Sequence, residues 1–103
     1  MSNAVYRYRF LGPVPIEEVE VSLLLAVLGT ESLHGESQTR LDAAHAFDAE
    51  QRRCVIEATT PVGRDLNRLF VGFLRREFGE EAFQVERLQA MPRSDAAPTA
   101  VGS

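Results

Sequence analysis

The residues best placed to do chemistry lie in the run Thr59-Thr60-Pro61-Val62-Gly63-Arg64. Its composition places it where a strand hands over to a helix. Two hydroxyls, unpaired backbone N–H groups and a guanidinium then converge, which are the parts of an anion-binding helix N-terminus. Thr59, Thr60, Gly63, Arg64 and Arg68 are the candidate ligands for a phosphate or carboxylate. The run is not a phosphate-binding P-loop, because the second glycine and the lysine are missing. A helix cap built from the same residues is the bland alternative.

Two histidines and one cysteine are the other reactive groups. Strand pairing through a turn at Asp48–Gln51 sets His45 opposite Cys54, a neighbour relation that could serve a nucleophile and its base. It could also be half of a metal site, but a third and fourth ligand are missing. The expectation is a satisfied histidine beside a small buried thiol. His34 sits with Glu31 and Glu36 in a polar run whose spacing matches no rigid cation site. No metal, cofactor or catalytic residue is therefore assigned, and the chain reads as a binding module before an enzyme.

All eleven basic residues are arginine, and the formal net charge is −4. Arginine's planar fork suits bidentate anion recognition, but an acidic domain is a poor polyanion binder, so nucleic acid is not an expected partner. Recognition of single-stranded RNA needs exposed aromatics for base stacking, and the alternation of the first strand buries Tyr6, Tyr8 and Phe10. Arg64, Arg68, Arg75 and Arg76 lie along one helix and could dock an acidic protein segment. The longest apolar run, Leu23–Leu28, is far shorter than the ~20 residues of a membrane span, so no membrane partner is expected. A lone cysteine and the absence of a signal-type start point to the cytoplasm.

The elements follow from periodicity. Val5–Leu11 alternates as a strand with Val5, Arg7 and Arg9 on its outer face. Pro15 and the acidic cluster Glu17, Glu18 and Glu20 open a helix over Ile16–Leu28, with Gly29 as its stop. Ser37–Asp48 alternates and reads as a long second strand, with Arg40 and Asp42 outward. Arg52–Thr59 is its hairpin partner, with Cys54, Ile56 and Ala58 inward. Thr60-Pro61 starts a second helix that ends at Phe78 before Gly79. Ala82–Leu88 is a last strand, and residues 89–103 form an aperiodic tail expected to be disordered.

The order β-α-β-β-α-β over residues 1–88 predicts an α+β, ferredoxin-like two-layer sandwich. In it a four-stranded antiparallel sheet carries two helices on one face. That architecture hosts many unrelated functions, so the surfaces must carry the functional reading. The first helix is apolar nearly all round, more than one buried face needs. Gly72, in the middle of the second helix, asks for a close neighbour, either the first helix or another chain. Val21, Leu25, Leu28 and Gly72 are accordingly the candidate interface of a homodimer, aided by the exposed edge of the second strand. A small-anion binder using Thr59–Arg64 is the alternative.

Overall fold

The computed structural model describes residues 4–89. The elements are β1 (Val5–Phe10), α1 (Ile16–His34), α2 (Glu36–Asp42), β2 (His45–Asp48), β3 (Arg53–Glu57), α3 (Pro61–Phe78) and, after a 3-10 turn at Glu80–Ala82, β4 (Phe83–Leu88). The strands form one antiparallel sheet in the order β2-β3-β1-β4. Among the described residues the fold is α+β, with a four-stranded sheet and three helices. The expected tail from residue 89 onward lies, but for Gln89 itself, outside the described residues.

The core forms where one sheet face meets α1 and α3. The register sets Tyr8 between Cys54 and Val85, and Phe10 beside Phe83. Tyr8, Phe10, Cys54, Ile56 and Phe83 thus share a face with Val19, Leu23 and Ala26 of α1 and Leu66, Phe70 and Leu74 of α3. Tyr8 packs edge-on against Phe70 at 5.1 Å between ring centroids. Its buried hydroxyl donates to Asn67 Oδ1 at 2.5 Å, so the phenol is hydrogen-bonded inside the core. The face assignment of β1 therefore holds for Tyr8 and Phe10, although Tyr6 is only partly buried. The opposite face is not a plain solvated surface, because Val5 and Val55 are buried there too. Between them Arg7 pairs with Glu86 at 2.5 Å.

Three expectations are corrected. The first helix does not stop at Gly29 but runs to His34. Gly29 is a packing glycine: a Cβ there would stand 3.0 Å from Leu69 Cδ1 of α3. The true stop is Gly35, whose φ of +89° only glycine adopts without strain. The long second strand over Ser37–Asp48 is instead α2 followed by a four-residue β2. Its apolar alternation was coincidental. The span carries helical i,i+4 pairs, Arg40 with Glu36 at 2.6 Å and Gln38 with Asp42 at 2.5 Å, and it buries Thr39 while Leu41 is exposed. Arg40 and Asp42 consequently belong to α2 and not to the sheet. Finally, β2 is shifted against β3, so His45 faces Ile56 and Phe47 takes the place opposite Cys54.

Candidate functional site

The strand-to-helix junction assembles as a closed cap. Thr60 has the extended backbone of an N-cap, and its Oγ1 accepts from Gly63 N–H at 2.9 Å. The same hydroxyl donates to the Asp42 carbonyl at 2.9 Å, fastening α2 to the start of α3. Thr59 donates to the Glu57 carboxylate at 2.8 Å, and Arg64 reaches back to the Thr59 carbonyl at 3.3 Å. Gly63 is where helix and strand touch: a Cβ would lie 2.2 Å from the Glu57 carbonyl oxygen. Thr59, Thr60, Gly63 and Arg64 are thus brought together, but around protein acceptors that include a carboxylate. Arg68 turns away to Asp65, at 3.6 Å and largely exposed.

The histidines part company. His34 Nε2 meets Asp65 Oδ2 at 2.7 Å and ties the end of α1 to α3. Glu36 is engaged with Arg40. The expected polar loop is helix, so Glu31, His34 and Glu36 do not converge on a cation. Among the described residues, no group of three or more His, Cys, Asp or Glu could hold a metal ion. Cys54 is buried, and desolvation pushes its thiol up to about 12. A thiol so protonated is inert, not a nucleophile. His45 lies exposed on the edge strand.

The conspicuous surface is α1. Val19, Leu23, Ala26 and Thr30 face the core. On the opposite side Val21, Leu24, Leu25 and Leu28 stand between 49% and 58% exposed. At 100° per residue these four form one outward stripe, two turns long. Beside it, Val21, Leu24, Val27, His45 and Phe47 line a groove of about 570 Å³ between α1 and the β2 edge, with Glu17 and Glu20 at its rim. The candidate interface residues Val21, Leu25 and Leu28 therefore share one apolar surface. Gly72 belongs to α3, and the reading that α1 packs closely on it is corrected, since a Cβ there would meet nothing within 4 Å. A mid-helix glycine costs about 1 kcal/mol relative to alanine, and among the described residues no contact accounts for this one.

Among the described residues no helix is long and apolar enough to cross a membrane. No family model, no curated protein and no solved structure matches the chain.

Proposed function

We propose that the chain is a non-enzymatic self-association module: a ferredoxin-like sandwich, with α2 as an added helix, that pairs with a second copy through α1 and the neighbouring β2 edge. The strand order β2-β3-β1-β4 with antiparallel neighbours supports the fold assignment. The observation that carries the functional reading is the outward stripe Val21, Leu24, Leu25 and Leu28. Contiguous apolar side chains with a charged rim are the mark of an interaction surface, whereas scattered exposed ones need no explanation. The β2 edge lies beside the stripe and leaves outer backbone groups that can pair with another chain, over four residues at most.

Sedimentation equilibrium over a concentration series tests the reading. The wild-type chain is expected to be dimeric at high micromolar concentration. Leu25→Glu and Leu28→Glu each set a carboxylate into the centre of the stripe and are expected to weaken the dimer at least about tenfold, which is 1.4 kcal/mol of association energy. Both side chains are half-exposed, so the variants keep their fold, which circular dichroism verifies. A wild-type chain that stays monomeric at high micromolar concentration overturns the proposal.

A further inference from the structure

We infer that the surface receiving α1 of one copy is the outer face of α3 of the second copy, with Gly72 at the point of closest approach. The inference rests on the self-association reading above: it keeps α1 as one half of the interface and takes α3 of the second copy, in place of the β2 edge, as the other half.

Charge supplies the first argument. Between Ile16 and His34, α1 carries Glu17, Glu18, Glu20 and Glu31 and no lysine or arginine. Between Pro61 and Phe78, α3 carries Arg64, Arg68, Arg75 and Arg76 against Asp65 and Glu77. Arg76 is exposed and has no ion-pair partner among the described residues. The outer surface of the helical layer is therefore divided into an acidic-rimmed apolar strip and a basic strip lying alongside it.

Geometry supplies the second. Gly29 meets Leu69, and His34 meets Asp65, so α1 and α3 run antiparallel. One turn further along each helix, Leu25 comes level with Gly72. The same antiparallel sense places the Glu17–Glu20 end of α1 beside the Arg75–Arg76 end of α3. A two-fold interface must match each surface to its partner reciprocally. An axis across the helices would stack α1 on α1 and α3 on α3, setting arginines against arginines. An axis along the α1–α3 groove instead lays each α1 over the partner's α3. Glutamates then meet arginines at both ends, and the stripe from Val21 to Leu28 lies over Gly72. The missing side chain lets the helices approach, and the stems of Arg68 and Arg76 flank the contact. The pairing accounts for a glycine that no contact among the described residues explains.

The test uses the full chain and measures the dimer dissociation constant. Gly72→Leu is expected to weaken the dimer at least tenfold while the monomer remains folded. Glu17→Arg and Arg76→Glu, each bringing like charges together, are expected to weaken it singly. The double variant Glu17→Arg/Arg76→Glu is expected to recover most of the lost affinity, since the charges are exchanged and the attraction restored. Glu17 and Arg76 also lie at the same end of the helical layer within one chain, so urea denaturation of each variant accompanies the measurement: recovery of the dissociation constant without a matching recovery of monomer stability places the pair between copies. A wild-type dimer that is indifferent to Gly72→Leu and whose charge variants show no recovery overturns this geometry and leaves self-association standing. A wild-type monomer overturns both.

Discussion

At the scale of single residues, the most consequential side chain is one that periodicity does not mark. Arg52 closes the β2–β3 hairpin with a φ of +56°. From there its guanidinium reaches the carbonyls of Phe10, at 3.2 Å, Leu11, at 2.7 Å, and Val14, tying the β1–α1 loop to the hairpin. Several carbonyls share one charged donor, and such bonds contribute more than neutral ones. Arg52→Ala is expected to lower stability by roughly 1–3 kcal/mol in urea denaturation. Arg52→Gly is expected to lose less, because glycine relieves about 1 kcal/mol of left-handed backbone strain; equal losses for the two would remove strain from the account. Cys54 yields a pH prediction. Burial holds its thiol at about 12, against an ordinary value of 9.0. The folded state thus binds the proton more tightly than the unfolded chain. Its stabilising effect is complete below the unfolded value and is lost as pH rises from about 9 toward 12. Tyr8, raised chiefly by burial and then by Cys54, acts in the same direction. Chemical denaturation across that window should show falling stability, with Cys54→Ser flattening part of the slope. The native thiol should also resist a disulfide reagent near pH 8.

At the scale of elements, the helix starts were legible and the helix ends less so. Pro15 and Thr60-Pro61 signal α1 and α3 through local chemistry, and both helices begin there. Helix ends depend on what lies nearby: Gly29 reads as a stop until Leu69 is seen packed on it, and Gly35 takes over that role. The alternating Thr39, Leu41 and Ala43 suit a strand as well as a short helix, and the choice rested on contacts outside the run. One such contact is the bond from Thr60 Oγ1 to the Asp42 carbonyl, at the C-terminus of α2. Thr60 thereby serves two helices. Thr60→Ala is expected to cost about 1–2 kcal/mol in thermal or denaturant unfolding. Thr59→Ala removes only a partly buried bond to Glu57 and should cost less. If the two are equal, the tie between α2 and α3 does not matter to stability.

At the scale of the whole molecule, the question is which surfaces the two layers leave apolar. The helix-facing side of the sheet takes one face of α1 and one of α3. It has no second layer to offer the outer stripe of α1, where Val21, Leu24, Leu25 and Leu28 remain about half-exposed. That excess was visible in composition alone, since an all-round apolar helix exceeds what one sheet can cover. The inward faces of β1 and β3 and the apolar face of α3 were equally readable, because strand and helix periods are local properties of the chain. Tertiary structure alone decided the rest. The register that sets Phe47, not His45, opposite Cys54 depends on how many residues the hairpin turn takes up. The partners of Thr59 and Thr60 within the chain, the Glu57 carboxylate and the Asp42 carbonyl, are set by how β3 and α2 meet the start of α3. The sense of Gly72 depended on whether α1 came near it, and the space beside it is open. Local pattern determines which side of an element avoids water; which groups then meet is a matter of distances between segments far apart in the chain.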